Sequence, residues 1–195
     1  DLNIMKQNTE RLLSLTNQLL DFRKTESQGF RLNFAECNVT EVLKETYNRF
    51  TSLARQRELD FVLNVGEQDF YAHVNKEAFT KIVSNLLNNA VKYAETYVHV
   101  FLEMNGIGEK RMFYIRTVND GVIIPNEMKE EIFKPFVRFN EKEDGKVTTG
   151  TGIGLALSRS LAELHQGSLM MLEGEEANVF CLSLPVEQLS RIHIS

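Results

Sequence analysis

Apolar residues at the start of the chain repeat with a seven-residue period. Met5, Leu12 and Leu19 are seven apart, and Asn8, Leu15 and Phe22 sit three positions after each. This is an a/d seam, widened by Leu13 and Leu20, and it predicts a helix over about 1–24. Such a stripe must be buried against another helix. A second helix is predicted with Asn38 or Thr40 as its N-cap, and with Val39, Val42, Leu43, Tyr47, Phe50, Leu53 and Ala54 as its apolar face. Two short strand patterns, Leu59–Val65 and Phe70–Val74, lead to a long helix that Asn75 caps and that reaches about Tyr93. Strands at Tyr97–Glu103 and Met112–Val118 follow, joined by a Gly-containing turn at Asn105–Glu109. Pro125 opens a short helix to about Phe133. Residues 137–150 are polar and carry no apolar period. From Gly152 to Gln166 the period is helical again, with Ile153, Leu157, Leu161 and Leu164 inward and Gly167 as a stop. Leu169–Glu173 and Asn178–Leu184 read as a closing hairpin. The pattern implies an α+β chain: one coiled-coil-like helix, then a two-layer α/β sandwich of about five largely antiparallel strands and three or four helices.

Composition narrows the class. The 195 residues are 43% hydrophobic and 25% charged, which fits a globular chain and excludes a disordered or fibrous one. A net charge of −5 and a pI near 5.5 argue against a general nucleic-acid or anionic-membrane binder. Cys37 and Cys181 lie far apart with no CxxC or Cys/His spacing, so zinc is not expected and a reducing compartment is natural. No apolar run approaches the length of a membrane span. The sequence starts without methionine inside a helical pattern, and is read as a piece of a longer protein.

Four segments carry candidate chemistry. In NLLNNAVKYA, Asn85, Asn89, Lys92 and Tyr93 have offsets of 0, 4, 7 and 8 and share one helix face. A solvated polar face is the ordinary reading. The functional one is a nucleotide site, with an amide oxygen for Mg²⁺, an ammonium for phosphate and a ring for a base. In GTGIGL, Gly150, Gly152 and Gly154 open a helix, where backbone N–H groups bind phosphate. The segment is neither a Walker loop nor a dinucleotide fingerprint, because no Gly-Lys-Ser/Thr follows and position 155 is leucine. VNDGVIIP, at a strand end, reads by itself as an Asn-Asp-Gly turn. In IFKPFVRF the phenylalanines suit a core, and Arg138 stands at the mouth of the polar segment.

Order and spacing join the four. Asn85–Tyr93 resembles the N box of sensor histidine kinases, Val118–Pro125 their G1 box, Ile132–Phe139 their F box and Gly150–Leu155 their G2 box. The likeness spans about residues 38–185. It implies the Bergerat-type ATP-binding fold shared with gyrase, mismatch-repair and chaperone ATPases, a mixed sheet under three helices. The leading NTERLLSLTNQLLDFRK resembles the second helix of the dimerisation and phosphoacceptor hairpin, most like that of hybrid kinases. The implied domains are 1–26 (truncated hairpin helix), 30–186 (catalytic domain) and 187–195 (linker or tail).

The resemblance implies ATP and Mg²⁺ as ligands. Asn89 would bind Mg²⁺, and Asn85 would help hold the ion and phosphates. Lys92 would face phosphate, Tyr93 and Asn119 the adenine, and Arg138 the γ-phosphate. Gly121 belongs to the G1 turn. Gly150, Thr151, Gly152, Gly154 and Leu155 form the phosphate loop, and residues 137–149 a lid. Asn119 stands where the family usually has aspartate; its oxygen still accepts a hydrogen bond but carries no charge. Ile123 replaces the second G1 glycine, Asn75 an acid before the N-box helix, and residues 174–178 lack a second glycine. In related ATPases a glutamate one turn before the Mg²⁺ asparagine activates water; here that residue is Asn85, which cannot act as a base.

None of His73, His99, His165 and His193 sits in a phosphoacceptor context, so the acceptor histidine is expected upstream, outside this chain. The implied partners are a second copy through a helix bundle and a response-regulator receiver domain. The implied setting is the cytoplasmic side of an inner-membrane sensor. Two readings compete with kinase function: a degenerate module of the same fold acting as a scaffold, and a hydrolysing ATPase.

Overall fold

The computed structural model describes residues 2–108, 111–139, 150–174 and 176–188. The element order is α1 (Leu2–Glu26), β1 (Ala35–Asn38), α2 (Val39–Gln56), β2 (Asp60–Asn64), β3 (Tyr71–Val74), α3 (Lys76–Tyr93), β4 (Tyr97–Asn105), β5 (Met112–Asn119), two 3₁₀ turns (Asn126–Met128 and Glu131–Phe133), α4 (Gly154–Leu164), β6 (Ser168–Leu172) and β7 (Asn178–Pro185). One layer is a five-stranded sheet in the order β2-β4-β5-β7-β6. Its β2–β4 pair is parallel and the others are antiparallel. The second layer is α2, α3 and α4, with α3 in the middle.

Alternation along β5 fixes what faces the helices. Phe113, Ile115, Thr117 and Asn119 are buried, and the residues between them are half-buried. Val98 and Val100 of β4 and Leu182 and Leu184 of β7 extend this inner face, on which Phe79, Ile82, Leu86 and Leu87 of α3 pack. Burial of such side chains contributes roughly 1.5–3 kcal/mol each.

The helix termini are capped as sequence chemistry requires. Asn38 accepts from the Glu41 N–H at 3.0 Å and Asn75 from the Ala78 N–H at 2.9 Å. Asn75 also donates its amide to the Asn33 carbonyl at 2.9 Å, a bond that a carboxylate in its place could not make. At the other end of α3, the Arg57 guanidinium donates to the carbonyls of Val91, Lys92 (2.8 Å) and Ala94 (2.9 Å). It fills positions that a helix C-terminus leaves open.

Several expectations are corrected. Strand 70–74 leaves the main sheet and pairs antiparallel with β1. β1 is four residues with only Cys37 buried, too short to display a period. The helix expected from Pro125 is two 3₁₀ turns, and the last helix starts at Gly154 rather than Gly152. Leu53 is 39% exposed and not part of the core. The α1 stripe is divided: Leu15 and Phe22 pack on the domain, while Met5, Leu12, Leu13, Leu19 and Leu20 stay exposed. Residues 140–149 of the lid expected at 137–149, His193 and most of the tail lie outside the described residues. No helix among the described residues is long and apolar enough to cross a membrane.

His165 is fully buried just after α4 and is structural. Its Nδ1 meets the Leu161 carbonyl at 2.7 Å, and its Nε2 accepts the Asn75 N–H at 3.1 Å. This pairing requires the neutral ring. Burial pushes its pKa below the ordinary 6.5, against the opposing hydrogen bond to Leu161. Below about pH 6.5 the unfolded chain takes up a proton that the folded chain resists, so stability falls with pH. Denaturant midpoints measured from pH 7 to pH 5 are expected to decline, and to decline less in His165→Gln. Equal slopes in the two proteins would remove His165 as the cause.

Candidate functional site

Helix α3, the end of β5, the segment after it and the start of α4 converge on a cavity of about 350 Å³. That volume suits a small-molecule ligand. Of the residues singled out from sequence, Asn85, Asn89, Lys92, Tyr93, Asn119, Arg138, Gly150, Thr151, Gly152, Gly154 and Leu155 all line it. Gly121 does not; it backs the wall instead.

Helical spacing brings the α3 residues together. The Lys92 Nζ lies 4.7 Å from the centroid of the Tyr93 ring. A side chain on Gly150 would start 3.2 Å from that Nζ, so the glycine loop lies directly against the ammonium. The Asn89 carboxamide hydrogen-bonds to no other described residue. Asn85 donates to the Ser158 hydroxyl at 3.0 Å and abuts Gly154, which ties α3 to the first turn of α4.

The glycine loop is shaped by its neighbours. Gly152 has φ +70°, and a side chain there would start 2.8 Å from the Phe136 Cα. The Phe136 N–H donates to the Gly152 carbonyl at 2.7 Å, which joins the F-box and G2-box segments by main chain. Arg159 fixes the preceding 3₁₀ turn: its guanidinium stacks 3.7 Å over Phe133 and pairs with Glu130 at 2.8 Å. Among the described residues no side chain caps α4, whose first residues Gly154 and Leu155 line the cavity.

At the base of the cavity, Asn119 is 3% exposed and its Oδ1 accepts the Gly121 N–H at 3.2 Å. The alternation that turns Asn119 inward turns Asp120 outward. Asp120 accepts from the N–H groups of Glu95 (3.0 Å), Thr96 (2.9 Å) and Tyr97 (3.1 Å) and from the Thr96 hydroxyl. Burial raises its pKa, but these hydrogen bonds outweigh it and hold the carboxyl at about 2. Ile123 is not in the cavity wall; it is 39% exposed, and the expected bulk near the base is absent.

Sequence reading missed some wall residues. Asn178 pairs with Asn119 across β5–β7, accepts the Ile124 N–H at 2.9 Å and donates to the Val122 carbonyl at 2.9 Å. Its place opposite Asn119 follows from the β5–β7 register, which no local pattern carries. Arg11, Ser14 and Gln18 of α1 also line the cavity, and Gln18 accepts from the Thr151 hydroxyl at 2.6 Å. No local pattern could place α1 there. Among the described residues no cluster of His, Cys, Asp and Glu could hold a metal by itself. A cation would therefore rest on amide oxygens and on a ligand's own oxygens. Asn89 and Asn85 suit that role.

Comparison with known proteins agrees with this geometry. Residues 74–188 match the family described as histidine kinase-, DNA gyrase B-, and HSP90-like ATPase. The sensor histidine kinase WalK of Bacillus subtilis is 26% identical over 96% of this chain, which spans 31% of that protein. Histidine kinase P4 of Formosa agariphila is 29% identical over 94% of this chain and 13% of its own length. The chain thus spans about a third or less of these relatives. Among solved structures, the nucleotide-free catalytic domain of histidine kinase ThkA superposes with a TM-score of 0.67 at 25% identity, covering 80% of this chain and 98% of that one. Full-length ShkA in complex with AMPPNP shares the fold, with a TM-score of 0.78 at 21% identity over 94% of this chain and 37% of that one. The chain belongs to the histidine kinase-, DNA gyrase B- and HSP90-like ATPase family, within which its relatives are sensor histidine kinases.

Proposed function

We propose that this chain binds Mg²⁺·ATP and transfers the γ-phosphate to a histidine on a helix outside it, for relay to a response-regulator aspartate. One observation carries the reading: the amide, ammonium and ring face of α3 meets the glycine loop before α4 over a single cavity. Mg²⁺ would neutralise charge between the phosphates. Asn89, assisted by Asn85, would hold it. Lys92 and the first N–H groups of α4 would bind phosphate, Arg138 would meet the terminal phosphoryl group, and Tyr93 and Asn119 would bind adenine. Gly121 would keep the G1 turn against α3, and Gly150–Leu155 would wrap the phosphates. AMPPNP bound to ShkA supports ATP as the ligand. ThkA solved with the response regulator TrrA supports a receiver domain as partner.

Residues 1–26 would be the second hairpin helix, 30–186 the catalytic domain and 187–195 a linker. The exposed Leu12, Leu13, Leu19 and Leu20 suit packing against a second copy in a four-helix bundle. The whole protein would be a hybrid sensor of the inner membrane with this region on the cytoplasmic side. Asn85, unable to activate water, favours transfer over hydrolysis.

The test supplies ATP labelled in the γ-phosphate and a separate kinase hairpin carrying its histidine. Label is expected on the hairpin in an acid-labile, base-stable form, with little free phosphate released when the hairpin is omitted. Steady release without acceptor would instead establish a hydrolase. No calorimetric heat and no melting shift with millimolar non-hydrolysable ATP would leave a scaffold.

A further inference from the structure

The nucleotide cavity has an apolar side, and an amide there keeps one end open. Val122, Ile124, Ile132 and Phe180 line it together with Asn119 and Asn178. The two asparagines are a cross-strand pair on β5 and β7, 3% and 4% exposed. Asn178 commits both ends of its amide to main chain: Oδ1 accepts the Ile124 N–H and Nδ2 donates to the Val122 carbonyl, each at 2.9 Å. Asn119 commits one end. Its Oδ1 accepts the Gly121 N–H at 3.2 Å, and among the described residues its Nδ2 meets no acceptor. Gly121 can only donate, so it fixes which end of the Asn119 amide is oxygen. Gly121 is itself held, close against the Tyr93 main chain and next to Asp120, which is bonded to the N–H groups of Glu95, Thr96 and Tyr97.

A buried N–H₂ without an acceptor is unfavourable, and a ligand that brings one gains by it. Oδ1 also keeps a second lone pair. The amide thus shows a ligand one donor and one acceptor side by side. Its complement on a purine edge is an acceptor followed by a donor. Adenine has that order at N7 and the N6 amino group. Guanine has it one position further along the same edge, at O6 and N1–H. Both run in the same sense, so one fixed amide fits either base once the base slides by that position. A carboxylate in the same place only accepts. It takes the adenine amino hydrogen but sets an oxygen against guanine O6.

We propose that Asn119 makes this a site for purine nucleotides at large and not for adenine alone, so that guanosine triphosphate binds with an affinity close to that of adenosine triphosphate. This rests on the nucleotide-binding reading above. Phosphate contacts are common to the two nucleotides, and the apolar wall offers surface to either ring. Asn178 has no end of its amide to spare. Choice between the bases therefore falls to Asn119, whose open donor meets N7 of one and O6 of the other. Specificity is a difference of affinities, and a group that satisfies both ligands creates little difference.

The test is calorimetric titration of the wild-type chain and Asn119→Asp with AMPPNP and with its guanosine counterpart GMPPNP, each with Mg²⁺. The two wild-type dissociation constants are expected to lie within about ten-fold of each other. Asn119→Asp, which keeps the acceptor and loses the donor, is expected to favour AMPPNP over GMPPNP by about 30-fold or more. A buried carboxylate can disturb the turn, so a change on the ligand accompanies it. 7-Deaza-ATP, with carbon in place of N7, is expected to bind the wild-type chain about ten-fold more weakly than ATP does. A wild-type chain that binds AMPPNP and disfavours GMPPNP by more than about ten-fold would overturn the inference and leave nucleotide binding intact. So would 7-deaza-ATP that binds as ATP does, or a folded Asn119→Asp protein that binds both analogues alike. A wild-type chain that binds neither analogue would overturn the nucleotide reading as well.

Discussion

Asn89→Ala is expected to remove the affinity that Mg²⁺ adds to nucleotide binding and to leave the fold untouched. Asn89 sits one turn from Asn85 on the cavity face of α3, half-buried, and its carboxamide bonds to no other described residue. Truncation therefore removes nothing that holds the protein together, and melting should stay within about 1–2 °C. What is lost is an oxygen ligand to a cation otherwise held by phosphates and water. A charge-assisted contact of this kind contributes about 2–3 kcal/mol, or roughly 100-fold in Kd. Titration of wild type and variant with a non-hydrolysable ATP analogue, with and without Mg²⁺, reads both parts: wild type should gain affinity on adding the ion, and the variant should not. Asn85→Ala is the informative contrast, because it also breaks the bond to Ser158 between α3 and α4 and should lower stability along with binding. An Asn89→Ala protein that binds Mg²⁺·nucleotide as wild type does would remove Asn89 from the site.

Much of this arrangement was legible in the sequence, and for identifiable reasons. Helix α3 is amphipathic, so its buried face (Phe79, Ile82, Val83, Leu86, Ala90) and its functional face (Asn85, Asn89, Lys92) separate on paper as they do in space. Asn119 was legible only through the family resemblance; β5 runs one residue beyond the expected end at Val118, and its period of two turns Asn119 inward. Local pattern is silent on what long-range packing decides. β1 is too short to show a period, and only its pairing with β3 makes it a strand. Asn178 depends on the β5–β7 register. The stripe on α1 reads as a single seam, yet a and d positions lie about 60° apart on a helix. A stripe that wide can serve two partners: Leu15 and Phe22 face the domain while Leu12 and Leu19 remain exposed. Ile123 shows the same limit from the other side. Its bulk suggests an obstructed cavity, but the Asn178 side chain holds Val122 and Ile124 by their main chains and leaves Ile123 out of the wall.

The second large effect is expected from Gly121→Ala, a residue outside the cavity wall. A methyl group there would start 2.0 Å from the Tyr93 carbonyl oxygen and 2.9 Å from its carbon, so the obstacle is main chain and not a flexible tip. Neither side can yield cheaply. The end of α3 is held by Arg57, which binds the carbonyls of Val91, Lys92 and Ala94 around Tyr93. The G1 turn is held by Asp120, ionised down to about pH 2 and bonded to the N–H groups of residues 95–97. Asn178 fixes the turn's far end. Overpacking between two braced segments costs about 3 kcal/mol, which in a domain of this size lowers Tm by roughly 10 °C. Any relief must come from separating the β5 turn from α3, which carries Asn119 away from Tyr93. Nucleotide affinity should therefore fall even below the melting transition, where the chain is still folded. Thermal unfolding together with titration at 10 °C measures the two losses separately. A Gly121→Ala protein that melts with wild type would mean that the turn and the helix end are not held against each other, and the adenine side of the site would then need a different support.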